Sequence, residues 1–230
     1  MSIDIKKYRE KIESAINQKN GEFGNGILYK MCEENPKHDK PDVVSGKVWL
    51  IGRAYSAAIE RMRSKKNIND DFYKEKVGPT LVDSVLDSKL ENLRGIKKIT
   101  KESAAEILSA HKYLQNKIHE ITGMDKRSLC SKYLHFHLPK LFFIYDSRVA
   151  GALQKIYPGR LRIFDSVLGG DVDTVYAVFF CKALVLKNEI EEKLDLEITS
   201  RQIDNFLINE ANGLLRNNSQ LIETGLRRAK

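Results

Sequence analysis

No apolar run in this chain approaches the roughly 18 residues that suggest a membrane span. The opening segment MSIDIKKYREKIESAINQ mixes charged with apolar residues and lacks the continuous apolar stretch of a secretory leader. Cysteine is scarce: Cys32, Cys130 and Cys181 are far apart and odd in number, which excludes a disulfide framework and the usual paired-cysteine zinc spacings. A reducing cytosol is the simplest compartment for such a chain. Alternating strand patterns are equally scarce, and neither an internal repeat nor a low-complexity linker breaks the sequence. These absences point to one globular unit over residues 1–230, with no membrane partner.

What is abundant is charge and helical period. Charged residues make up 30% of the chain and hydrophobic residues 42%, the balance of a globular protein with a real core. Lys and Arg exceed Asp and Glu to give a net charge of +8. A basic surplus permits binding to nucleic acid, because neutralising phosphates releases counterions, but it does not establish such binding.

Apolar residues recur mostly at three and four, which predicts an all-α protein of eight to ten helices. A first helix is expected from Ile3 to about Gln18. A Gly/Asn-rich turn and a short helix follow in NGEFGNGILYKM, closed by the prolines of ENPKHDKPD. VVSGKVWLIGRAYSAAIERMRSK reads as one long buried helix. The segment INDDFYKEKVGPTLVDSVLDSKLENLRG reads as one or two helices, separated near Gly78-Pro79. TKESAAEILSAHKYLQNKIHEITG has a Thr-x-x-Ser start and ends at Gly123, a residue suited to the left-handed C-terminal cap. Short strands could sit in LRIFDSVL. GGDVDTVYAVFFCKALVLKNEIEEKL gives a glycine turn, an acidic cap and a long helix, and TSRQIDNFLINEANGLL a last one.

The stretch CSKYLHFHLPKLFFIYDSRVAGAL, Cys130 to Leu153, combines two costly choices. On a helix from about Lys126 to His137, Leu129, Tyr133 and Phe136 share an apolar face, and Lys132 lies at its boundary. The ordinary reading is a lysine whose stem packs on the core while its head reaches water. The sharper one is an amine desolvated enough to be partly neutral and nucleophilic. Asp146 follows a mainly apolar run and precedes a plausible helix, so it reads as an N-cap. A cap and a catalytic carboxylate are compatible roles, since an acid held by helix amides is well placed to face a developing positive charge.

The segments SKYLHF and FIYDSRVAGAL, with the short loop between them, resemble the signature of the 8-oxoguanine DNA glycosylase-like (OGG-fold) proteins of the helix-hairpin-helix glycosylase superfamily. The close match covers about 25 residues of the chain. The resemblance implies a helical fold of two lobes around a cleft, with the hairpin and catalytic segment at about 100–157. It also implies a DNA N-glycosylase that removes an oxidised purine from double-stranded DNA and needs no cofactor. In that superfamily a lysine attacks C1′ of the damaged nucleotide, and the resulting Schiff base can lead to strand cleavage. A nearby aspartate stabilises the cationic sugar. Carried over by motif, Lys132 takes the place of the lysine and Asp146 that of the aspartate. The target base must leave the duplex and enter a pocket.

The chain departs from the family at the hairpin. The superfamily turn is typically Leu-Pro-Gly-x-Gly, whereas EITGMDKRSL keeps Gly123 and has Asp125 at the second glycine, where an acid opposes phosphate binding. A strict hairpin alignment would put Arg127 near the nucleophile's place, but a guanidinium keeps its proton. Lys132 is therefore the favoured nucleophile and Lys126 the reserve.

Other candidates carry weaker signals. Trp49, Arg53 and Tyr55 could line a base pocket, although buried aromatics are more often core. His135 could face the same pocket beside Lys132. It and His137 point to different sides of their helix, with no partner spacing for a metal. Arg148 suits a carboxylate or a DNA phosphate. Gly123, Lys126, Arg127 and Arg148 are the expected DNA contacts. Arg61, Arg63, Lys65, Lys66, Lys97, Lys98, Lys126 and Arg127 would form a DNA track if gathered on one face. Three readings of function stand on the sequence: a glycosylase, a non-catalytic binder of nucleic acid or a modified nucleotide, and a helical partner protein, for instance in a bacterial defence system.

Overall fold

Side-chain caps set several of the helix starts. The computed structural model describes residues 4–19, 21–61, 70–159, 161 and 165–213, and among these no strand occurs. A 3-10 turn (Ile5–Tyr8) leads into α1 (Arg9–Ile16), followed by α2 (Glu22–Glu34) and α3 (Pro41–Ala54). A π-helical turn (Phe72–Val77) runs into α4 (Gly78–Leu81) and then α5 (Ser84–Arg94). Next come α6 (Lys101–Thr122), α7 (Arg127–His137), α8 (Ser147–Ile156), α9 (Asp165–Leu168) and α10 (Thr174–Leu194). The last described helix, α11, covers 200–213. The segments outnumber the expected eight to ten because α4 and α9 are single turns.

Several starts follow the sequence signals closely. Thr100 and Ser103 form a reciprocal capping box at the head of α6, and Gly123 ends that helix at φ 65°. Asp146 accepts from the Arg148 amide at the head of α8, and Asp173 from the Tyr176 amide at the head of α10. Each such cap satisfies amides that have no partner inside their helix.

Other expectations are corrected. The long helix expected from Val43 onward stops at Ala54: Ser56 takes φ 52°, and the Ala57 amide donates back to the Gly52 carbonyl at 2.8 Å. A Cβ on Gly52 would sit 3.1 Å from the Ala58 Cα, so glycine lets the chain fold back there. The break in the next segment falls at Val82-Asp83, not at Gly78-Pro79. Pro79 sits in the first turn of α4, while Asp83 accepts from the Val85 and Leu86 amides to start α5. Gly78 touches α3 so closely that a Cβ would lie 2.7 Å from the Pro41 carbonyl oxygen. LRIFDSVL contributes α9 rather than a strand, with 162–164 outside the described residues. Gly24 and Gly26 lie inside α2, not in a turn before it.

The core is one continuous cluster, and α7 runs through it with every residue from Leu129 to His137 buried. It packs against α2, α3 and α6. A helix so placed must satisfy its polar side chains internally, because an unpaired buried polar group costs about 1–3 kcal/mol. One end of α7 does this largely through a histidine network, although His137 Nδ1 has no partner among the described residues. Lys47 of α3, fully buried, donates to the carbonyls of Asn35 (3.0 Å) and Lys37 (3.3 Å) and lies 3.3 Å from His137 Nε2. His38 donates from Nδ1 to Asp87 at 2.6 Å and accepts at Nε2 from the Tyr133 hydroxyl at 2.8 Å. This network pins the segment between α2 and α3 onto the core. Among the described residues no helix is long and apolar enough to cross a membrane.

Candidate active site around Lys132

The other polar stretch of α7 holds Lys132. Only 3% of this residue is exposed, so its head does not reach water as the snorkelling reading would require. Its Nζ donates to Ser128 Oγ, one turn earlier, at 2.6 Å and to the Tyr145 carbonyl at 3.0 Å. Ser128 Oγ donates to the same carbonyl at 3.1 Å, and the Tyr145 amide donates to Ser131 Oγ at 3.0 Å. Three side chains on one face of α7 thus grip the backbone of Tyr145. The next residue is Asp146, so this grip fixes the carboxylate's origin relative to the amine.

Asp146 is about a third exposed at its side chain (35%), with Arg148 Nε 3.4 Å from Oδ1. Its charge acts on Lys132. Burial holds the Lys132 amine below its usual pKa. Asp146 and Asp204 oppose that shift, while Arg201 and Arg148 reinforce it.

Two of these groups, Arg201 and Asp204, come from α11 and were not singled out in the sequence. Arg201 Nη1 donates to Asp204 Oδ2 at 3.1 Å, and its guanidinium lies 5.4 Å from the Tyr55 ring centre and 5.6 Å from that of Phe136. Lys132 Nζ lies 5.8 Å from the same Tyr55 ring. Burial pushes the Asp204 carboxyl up to about 6, although Arg201 and Lys132 pull it down. Asp204 Oδ1 and Arg201 Nη2 are buried with no hydrogen-bond partner among the described residues. The sequence did hold a signal: SRQIDNFL places an arginine and an acid three apart beside Ile203, Phe206 and Leu207, all buried.

Tyr29 and His135 complete the wall. His135 Nδ1 donates to the Phe142 carbonyl at 2.7 Å, which leaves Nε2 to accept from the Tyr29 hydroxyl, also at 2.7 Å. Burial, aided by Arg201, lowers the His135 pKa to about 3, so the ring is neutral near pH 7. Arg201 Nε reaches the Tyr29 hydroxyl at 3.4 Å. A pocket of about 890 Å³ opens beside this row, lined by Tyr29, His135, Lys140, Ser200 and Arg201 among others. Lys132 and Asp146 are not in its wall.

The remaining sequence candidates are dispersed. Of the α3 group only Tyr55 joins the cluster, its hydroxyl donating to Asn25. Trp49 is exposed with Arg53 stacked 5.6 Å from its ring, and Arg53 pairs with Glu60. Lys126 bonds the carbonyls of Ala58 and Arg61. Arg127 Nε binds both oxygens of Asp173, at 2.7 and 2.9 Å, tying α7 to the cap of α10. Asp125 in the hairpin faces His119 at 3.0 Å. Arg148 is exposed beside Asp146. In the expected basic track, Arg63, Lys65 and Lys66 lie outside the described residues, and Arg61 bonds the Ser56 carbonyl. Among the described residues no three His, Cys, Asp or Glu side chains gather as metal ligands would.

The arrangement combines a desolvated amine, a partly exposed carboxylate one residue beyond that amine's carbonyl partner, and a buried carboxylate paired with Arg201. No protein-family model, curated protein or solved structure matches this chain.

Proposed function

We propose that this protein is a DNA N-glycosylase acting through Lys132, with the helix-hairpin-helix glycosylase architecture that SKYLHF and FIYDSRVAGAL suggest. One observation carries the reading: a buried amine with a lowered pKa and a partly exposed carboxylate are linked through a single backbone residue, Tyr145. The sequence of α6, Gly123 and α7 supplies a helical hairpin just before the amine. The substrate would be an oxidised purine such as 8-oxoguanine in duplex DNA, flipped out of its stack.

In this reaction the neutral Lys132 amine bonds to C1′ while the C1′–N bond breaks and its electron pair leaves with the base. The lysine nitrogen then loses a proton and its electron pair forms the C1′=N bond as the C1′–O4′ bond breaks and O4′ takes up a proton, which gives a Schiff base from which strand cleavage can follow. Asp146 faces the positive charge that develops on the sugar. Arg201 and Tyr29, at the edge of the pocket, would contact the extruded base.

The test is borohydride trapping on duplexes carrying 8-oxoguanine or an abasic site. A covalent protein–DNA adduct is expected with the wild type and none with Lys132→Ala. Absence of both adduct and base release across a panel of oxidised and alkylated bases overturns the assignment. A second reading, nucleic-acid binding without chemistry on the same scaffold, is favoured by the departure of the hairpin at Asp125, while the internal engagement of Lys126 and Arg127 removes two expected DNA contacts under either reading. It predicts salt-dependent DNA affinity that Lys132→Ala leaves intact, with no product.

A further inference from the structure

We propose that Ser128 is a positioning residue for Lys132: its hydroxyl and the Tyr145 carbonyl form a two-acceptor cradle that fits a neutral amine and orients its lone pair. The inference deepens the lysine-nucleophile reading and rests on it for its catalytic meaning. In this role Ser128 does not touch the substrate; it acts through the amine.

The cradle begins in the period of α7. Ser128 lies one turn before Lys132, and helical side chains lean towards the N-terminus, so the lysine stem runs back towards the serine. Three atoms then close a triangle. Lys132 Nζ is 2.6 Å from Ser128 Oγ and 3.0 Å from the Tyr145 oxygen, and those two oxygens are 3.1 Å apart. The carbonyl oxygen can only accept, so the serine O–H points at it and the serine oxygen is left to accept from the amine. Other bonds hold the two oxygens in place. The Tyr145 amide donates to Ser131 Oγ at 3.0 Å, and Ser131 Oγ donates to the Ser128 carbonyl at 3.0 Å. The frame that grips the amine therefore stands without it.

Counting donors shows which form of lysine the frame suits. An ammonium has three N–H bonds and a neutral amine has two. Lys132 finds two acceptors among the described residues. Both N–H bonds of the neutral amine are then used, and its lone pair takes the open position. An ammonium would leave one buried N–H without a partner. Lys47, also buried, has three partners, two carbonyls and His137 Nε2, which is the number an ammonium needs.

With two N–H bonds anchored, the amine cannot turn about its Cε–Nζ bond, and the lone pair has one direction. Attack at C1′ depends on such alignment as well as on the amine being neutral. The charges that act on Lys132 come from outside the frame: Asp146 and Arg148 at the head of α8, and Arg201 and Asp204 on α11. The Tyr55 ring, with its centre 5.8 Å from Nζ, faces it from the end of α3.

The first test needs no DNA. The full-length protein is labelled with ε-¹³C lysine, the Lys132 signal is assigned from Lys132→Arg, and its shift is followed through an alkaline titration. The wild-type midpoint should lie below the usual 10.5. In Ser128→Ala it should fall further, by about one pH unit, since an oxygen that accepts from the ammonium is gone. Ser128→Thr keeps the hydroxyl and should restore the wild-type midpoint. A wild-type midpoint at or above 10.5 overturns the proposal, even if the variants fail to fold. So does a midpoint that folded Ser128→Ala leaves unmoved.

A kinetic arm uses single-turnover borohydride trapping on a duplex with one abasic site. If Ser128 did no more than hold a proton on the amine, Ser128→Ala would be neutral more often and trap faster at pH 7. Positioning has the opposite sign: trapping should slow by about ten-fold, both at pH 7 and on the alkaline plateau, with DNA affinity unchanged. Ser128→Thr should recover most of the rate. A rate in folded Ser128→Ala equal to or above that of the wild type sinks the positioning role. If no variant is trapped while Ser128→Ala moves the Lys132 midpoint, the glycosylase reading fails and the cradle stands.

Discussion

Lys47 and Lys132 both lie in the interior, one on α3 and the other on α7, and burial lowers the pKa of each. Their surroundings differ. Lys47 meets two backbone carbonyls and a histidine, and the nearby His38 is itself paired with Asp87 and Tyr133. Its N–H bonds close a loop onto the core, and it is a structural cross-link made from an amine. Lys132 meets a hydroxyl and a carbonyl that already bond each other, and the charges of Asp146 and Asp204 act on it. A buried charge alone therefore does not mark a reactive site. What sets Lys132 apart is that its carbonyl partner, Tyr145, is followed directly by the partly exposed Asp146, whereas unsatisfied polar atoms occur near both lysines, His137 Nδ1 among them.

The sharpest way to break this comparison is at the carboxylate. Asp146→Asn keeps a capping side chain for α8, so thermal stability should hardly change, while turnover should fall by about 10²–10³-fold if the acid faces developing charge. Single-turnover base release on a lesion-bearing duplex measures it. An unchanged rate would move Asp146 into the structural class with Lys47.

Stability separates the two lysines next. Lys47→Met keeps the apolar stem but leaves the Asn35 and Lys37 carbonyls without their donor, at a cost of about 3 kcal/mol. Lys132→Met leaves Ser128 Oγ still bonded to the Tyr145 carbonyl, so the loss should stay within about 1 kcal/mol. Urea denaturation of both variants reads the difference. Equal losses would mean that the two amines serve the same purpose.

The smallest effect is in pH. His111 and His135 are buried with pKa values lowered to about 3, and His38 and His137 are lowered as well, in each case chiefly by burial. A base with a depressed folded pKa takes up its proton more readily when unfolded, so stability falls as pH drops below 6.5. Going from pH 8 to pH 5 should cost about 2 kcal/mol for each of His111 and His135. Asp204 has the opposite sign: its raised pKa returns about 1 kcal/mol over the same interval. The net outcome is acid destabilisation. Denaturation curves at pH 8 and 5 measure it, and in Asp204→Asn the net loss should be larger than in the wild type.

Much of the secondary structure was legible because caps and period act locally. Thr100 with Ser103, Gly123, Asp146 and Asp173 mark helix ends through bonds to amides or carbonyls within a few residues. The misread ends at Ala54 and Val82 depend on distant atoms: Gly52 and Gly78 are required by backbone packed against them. The candidate site divides in the same way. Lys132 and Asp146 were visible as polar residues in apolar runs, only fourteen positions apart. Arg201 and Asp204 lie about seventy positions after Lys132, and nothing local brings them to it. Arg127 and Lys126, which as sequence are free cations, turn out to be tethered within the fold.

The sequence by itself determined a helical chain and the phase of α7, which places an amine and an acid on adjoining elements, since both follow from periodicity and from bonds spanning a few residues. Only the tertiary structure decided that Lys132 is shut away from water, that α11 brings a second acid to it, and that Lys47 is a cross-link. Desolvation and charge pairing depend on what surrounds a group in space, and those surroundings are assembled from segments far apart along the chain.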